Sequence, residues 1–121
     1  MGGASRILLG AAAALGASGV VLGAWAAHGL AGALAPRQLA TFQTAVLYHL
    51  LHAPAVAVCA LLPGSRGATA GLLMVAGVLV FSGSLYLIAG LGLARLGPLT
   101  PLGGLALVAG WLALGWAAWR G

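Results

Sequence analysis

His49 and His52 stand three residues apart inside an apolar run from Leu39 to Leu62. On a helix that spacing places both imidazoles on one side. Imidazoles so placed can bind zinc or haem, relay protons, or act as neutral hydrogen-bonding rings. The chain contains no Asp and no Glu to pair with them. A zinc site on His49 and His52 therefore needs a third ligand from elsewhere. The single cysteine, Cys59, lies about 10 Å further along the same helix, and His28 falls near a helix end. A site shared between copies of the chain would complete the set. Three readings stay open. The rings hold the bundle together through Ser82, Ser18 or a free carbonyl. They mark a proton or water path, as intramembrane ionisable residues do by default. Or they bind haem or zinc, although no cofactor is expected.

Other polar residues accompany them. At about 1.5 Å per helical residue, His49 and His52 lie roughly 15–20 Å below the level of Leu39. Tyr48, Ser18 and Ser82 fall at nearly the same depth, so these five residues form a candidate binding cluster at the membrane midplane. Thr44, Ser84, Tyr86 and Thr100 lie nearer the surface as a polar entrance. Thr41, Tyr48 and His52 share one helical stripe, flanked by Gln38, Thr44 and His49, and that face should turn inward. Pro54 cannot donate to the Leu50 carbonyl and should kink the helix there. No catalytic constellation is visible: Ser82 and Ser84 have no acid to complete a triad, and "GLGLARLG" lacks a phosphate-binding lysine.

Four apolar stretches must position these residues, at about 7–28, 39–62, 68–91 and 99–119. Each is long enough to cross a bilayer as a helix. The runs are too long and too continuously apolar for barrel strands, which alternate. The connectors "LAGALAPRQ", "PGSRG" and "LARLGP" each carry arginine, proline and glycine. Short loops make neighbouring helices antiparallel. The expectation is an all-α integral membrane protein of four helices, residues 1–121 forming one domain.

Composition agrees. Of the 121 residues 63% are hydrophobic and 4% charged, and mean hydropathy is +1.15. Soluble domains carry about 25% charged residues. The net charge of +5 comes from Arg6, Arg37, Arg66, Arg95 and Arg120. They lie far apart in sequence, so no nucleic-acid surface is expected; the partner is the lipid bilayer. Arg6, Arg66 and Arg120 fall on one side, Arg37 and Arg95 on the other. The positive-inside rule then favours both termini in the cytoplasm. The first apolar run is too long for a cleavable signal. One cysteine allows no intrachain disulfide.

Small residues recur at helical spacing: Gly16, Gly19 and Gly23 in the first span, Gly103 and Gly110 in the last. Such stripes let helices approach closely, either within the protomer or in a homo-oligomer. His28, followed by Gly29, is expected to cap the first helix at its C-terminus.

Several short segments resemble one known family, the domain of unknown function 423 family of transmembrane protein 256-like small membrane proteins. Gly23-Ala24-Trp25-Ala26-Ala27-His28 is similar to its "GAFGAH". Gln43-Thr44, Tyr48 and His52 resemble its "QT…Y…H", and Phe81–Tyr86 reads "FSGSLY" unchanged. Thr100–Gly104 and Gly110-Trp111 resemble its "TPxGG" and "GW". The resemblance implies a small multi-pass membrane protein, with a bacterial inner membrane as the expected location, and brings no mechanism with it. Relatives often carry a charge near Gln43 or Leu47 and lack a proline at position 54; this chain differs at both. The reading is a non-enzymatic protein that binds or passes a small molecule through the midplane cluster, or supports a membrane assembly. A haem- or metal-binding redox component and a purely structural protein are the alternatives.

Overall fold

The computed structural model describes residues 1–120. Helix α1 spans Gly3–Trp25, α2 Pro36–Leu61, α3 Ala68–Leu91 and α4 Leu99–Arg120. All four are long and apolar enough to cross a membrane. Helix is what lipid demands of such segments, since every backbone polar group must be satisfied within the segment.

The helix ends follow local chemistry. Pro36 opens α2 at its first turn, where the missing N–H costs nothing. Gln38 Oε1 accepts from the Ala35 amide at 3.2 Å, so α2 begins three residues before the expected Leu39. The first helix does not stop at His28. It widens into a π-helical turn over Ala26–Leu30, and the left-handed residue after it is Gly32, with φ 88°. Gly29 has another use: a Cβ there would lie 2.5 Å from the Trp25 ring. Gly92 ends α3 in the left-handed conformation, which glycine adopts without steric cost. Pro54 lies inside α2, and the helix runs through it to Leu61.

Consecutive helices pack side by side: α1 on α2, α2 on α3 and α3 on α4, with a smaller contact between α1 and α3. Half of the most apolar window of α2 is buried, against 22% for the windows of α1 and α4. The expected inward turn of the polar face of α2 holds for His49 and His52, which are buried, and fails for Gln38, Thr44 and Tyr48, which are exposed.

Glycine sets the spacing. A Cβ on Gly19 would sit 2.5 Å from Leu50 Cδ2, and one on Gly23 3.2 Å from Val46 Cγ1. Gly103 lies against the backbone of Phe81, and Gly110 against Met74 and the Ala70 carbonyl. Both glycine stripes therefore pack within the protomer. The interior divides into two apolar clusters. Leu8, Val56, Met74, Val78 and Leu107 belong to one, nearer the termini. Ala26, Leu30, Phe42, Val46 and Ala89 form the other, nearer the first and third loops. The buried histidines lie between them along α2.

Candidate functional site

The two histidines diverge. His49 turns toward α1 and α3, where its Nε2 lies 3.0 Å from Ser18 Oγ and its Nδ1 2.8 Å from the Tyr86 hydroxyl. The Ser18 hydroxyl donates to the Ala14 carbonyl at 2.7 Å. Having one proton, it must accept from His49, so His49 carries its proton on Nε2. Tyr86 then donates to Nδ1. The chain Tyr86–His49–Ser18–Ala14 crosses three helices with each hydrogen assigned by its partners.

His52 turns toward α4. Its Nδ1 lies 2.7 Å from the Tyr48 carbonyl, which can only accept, so Nδ1 carries the proton. Its Nε2 accepts from the Trp111 indole N–H at 3.0 Å. The indole can only donate, so His52 is a neutral ring in the opposite tautomer from His49. The same bond joins the second and fourth helices.

The other expected site residues are spread along the bundle. Ser82, buried, donates to the Ala45 carbonyl at 2.8 Å and ties α3 to α2. Ser84 and Thr100 meet at 2.6 Å between α3 and α4. Thr44 is exposed and bonds back to the Ala40 carbonyl. Ser18, His49 and Tyr86 come together; Tyr48 and His52 form a second group with Trp111; Ser82 joins neither. "FSGSLY" is thereby explained as a helix segment with two working faces. Ser82 and Tyr86, one turn apart, face α2, while Phe81 and Ser84 meet α4.

Tyr86 and Trp111 are the partners that spacing alone underplayed. Side chains lean toward the N-terminus of their own helix. In the antiparallel α2 and α3 that tilt brings His49 and Tyr86 toward each other, although their Cα atoms sit at different depths. Trp111 lies twelve residues past Leu99 and His52 thirteen past Leu39, so counting depth along α4 would have paired them.

Each nitrogen of both imidazoles has a protein partner. A metal at either ring would have to displace one. Among the described residues no three His, Cys, Asp or Glu side chains come together as a metal-binding group. Cys59 is buried in the apolar cluster.

Beside His52, a groove of about 550 Å³ opens between α2 and α4. Tyr48, His52, Phe81, Pro101, Gly104 and Trp111 line it. The Tyr48 and His52 rings are stacked at 13°, with centroids 6.4 Å apart. The Phe81 ring lies 4.8 Å from Tyr48. Every buried side-chain nitrogen and oxygen among the described residues has a partner. The Tyr48 hydroxyl, on a side chain 39% exposed, is absent from that network.

Fold and polar network together define a small multi-pass membrane protein built as a four-helix bundle. The sequence profile described as "Protein of unknown function (DUF423)" matches residues 22–104, and the chain belongs to that family, whose relatives are named UPF0382 membrane proteins. One, from Bacillus subtilis (strain 168), is 43% identical over 88 residues, covering 69% of this chain and 72% of its own length. Another, from Staphylococcus haemolyticus, is 38% identical over 86 residues, covering 69% and 70%. A third, from Schizosaccharomyces pombe, is 37% identical over 85 residues, covering 65% and 72%. No solved structure matches the chain.

Proposed function

We propose that this protein is a non-enzymatic membrane component that holds a small lipid-soluble molecule in the groove between α2 and α4, admitted sideways from the bilayer. The carrying observation is the Tyr48 hydroxyl. Every buried side-chain nitrogen and oxygen among the described residues has a partner, and this phenol, on a side chain 39% exposed, lines the groove without one. A hydroxyl left unpaired in an apolar medium costs on the order of 1–3 kcal/mol by protein mutational measures. A ligand bearing one hydrogen-bonding group would recover that. His49 and His52 then serve as framework: their bonds hold α1, α3 and α4 against α2 around the groove.

Gly104 provides the test. A Cβ there would lie 3.7 Å from the Phe81 ring, an ordinary contact, so a larger side chain extends into the groove. Native mass spectrometry of protein extracted in mild detergent should show a retained small molecule that Gly104→Leu abolishes without lowering the melting temperature. An identical spectrum from both proteins would refute ligand binding in the groove and favour the structural alternative.

We further propose the cytoplasmic (inner) membrane of a bacterium as the location, with both termini inside. Arg6, Arg66 and Arg120 on that side outnumber Arg37 and Arg95. In a Cys59→Ala background, a membrane-impermeant maleimide added outside cells should label Ala94→Cys and spare Ser65→Cys; the reverse would invert the topology. Association between copies would use the outward faces of α1 and α4, such as Val21 or Leu112, both exposed, because the glycine stripes are occupied within the protomer.

A further inference from the structure

We propose that the occupant of this groove is a flat, carbonyl-bearing ring on an apolar tail, a quinone-type molecule. This rests on the groove reading above and names its ligand class.

Shape is the first reason. The Tyr48 and His52 rings, nearly parallel at 13°, both line the groove. The Phe81 ring, tilted against Tyr48, lines it as well. Trp111 stands edge-on to His52, with ring centroids 5.8 Å apart, and lines the groove beside it. The opposite wall on α4 carries Pro101 and Gly104, and a Cβ on Gly104 would be in ordinary contact with the Phe81 ring. Aromatic walls of this kind favour stacked or edge-on contacts with a planar ring.

The hydrogen-bond inventory is the second. His52 spends both nitrogens, one on the Tyr48 carbonyl and one on Trp111, whose N–H is thereby used as well. The phenol of Tyr48 is the unspent polar group of this aromatic wall. A phenol O–H donates best to an acceptor in its reach, and a ring carbonyl presents its lone pairs in the plane of a flat ring.

Competing lipid chemistries fit less well. No arginine lines the groove, so a phosphate headgroup would find no countercharge. A bare acyl chain would leave the phenol unpaired. The run from Pro101 to Trp111 along α4 is about 15 Å at 1.5 Å per residue, and Leu105 and Val108 line it for a tail. The volume falls in the usual range for small-ligand sites, roughly 300–1,000 Å³.

Trp111 supplies the readout. The full chain carrying Trp25→Phe, Trp116→Phe and Trp119→Phe would be placed in phosphatidylcholine nanodiscs and titrated with decylubiquinone, which quenches indole fluorescence on contact. A companion protein keeping only Trp116, exposed on the outer surface, reports quenching from the bilayer. Saturable quenching is expected at Trp111, with a linear response at Trp116. Tyr48→Phe should raise the midpoint about five- to tenfold, the worth of one hydrogen bond, and leave the melting temperature unchanged. Decylbenzene and 1-decanol, which lack the ring carbonyl, should compete weakly. Equal competition by either, or no shift in Tyr48→Phe, would overturn the carbonyl-ring assignment while leaving the groove reading intact. Linear quenching at Trp111 that Gly104→Leu does not alter would overturn both.

Discussion

His49 holds two hydrogen bonds to two different helices, so its replacement removes more than one contact. In His49→Leu the Tyr86 hydroxyl loses its acceptor and Ser18 Oγ loses its donor. The expected loss is about 1–3 kcal/mol, with the smaller end favoured because interhelical bonds in membranes average about 0.6 kcal/mol. Tyr86→Phe alone should cost less, and the double variant less than the sum, because removing both partners orphans neither. Thermal unfolding in detergent closes this cycle; strict additivity would show that the bond contributes no stability. The tautomers give a separate check. Nitrogen-15 NMR should show His49 protonated on Nε2 and His52 on Nδ1, and Trp111→Phe should shift the His52 Nε2 resonance without moving the proton, which the Tyr48 carbonyl holds on Nδ1. Two imidazoles three residues apart suggested a shared task, yet each ring's partners lie on different helices, which no spacing within α2 encodes.

At the scale of the element, glycine position decides which helices can meet. Gly103 lies against the Phe81 backbone, where no side-chain rotation can relieve a collision. Gly83, two residues beyond Phe81 on α3, has nothing within 4 Å of a built Cβ. Gly103→Leu should therefore separate α3 from α4, breaking the Ser84–Thr100 bond and lowering the melting temperature by well over 10 °C or abolishing a monodisperse peak. Gly83→Leu should leave size-exclusion elution and melting unchanged, and a loss there equal to that of Gly103→Leu would refute the packing. Both residues read alike as glycines in an apolar run. The recurrence of Gly103 with Gly110 marked a packing stripe, but which helix fills it depends on the bundle's arrangement. Pro54 teaches the same lesson: its chemistry removes the Leu50 partner whatever the fold, while the helix continues to Leu61 because tertiary packing outweighs one lost bond.

For the whole molecule, charge is the dominant constraint. Five arginines and no acidic side chain leave no side-chain carboxylate to pair with any guanidinium. Lipid phosphates at the two membrane faces are the available counterions. Melting in nanodiscs containing phosphatidylglycerol should exceed that in phosphatidylcholine alone, and Arg37→Gln with Arg95→Gln should reduce the difference. No dependence on lipid charge would show that the arginines act only in setting topology.

Length, hydropathy and loop residues determined by themselves that this chain makes four antiparallel membrane-spanning helices, because lipid leaves a continuous apolar run no other way to satisfy its backbone. They also set Tyr48, His49, His52, Ser18 and Ser82 at similar levels along their helices, since helical rise is fixed. Tertiary structure alone decided azimuth: that His49 meets Ser18 and Tyr86, that His52 meets Trp111, and that Tyr48 is left facing an open groove. Rotation of each helix about its axis is set by packing against its neighbours, and a run apolar on nearly every side carries almost no period from which to read it.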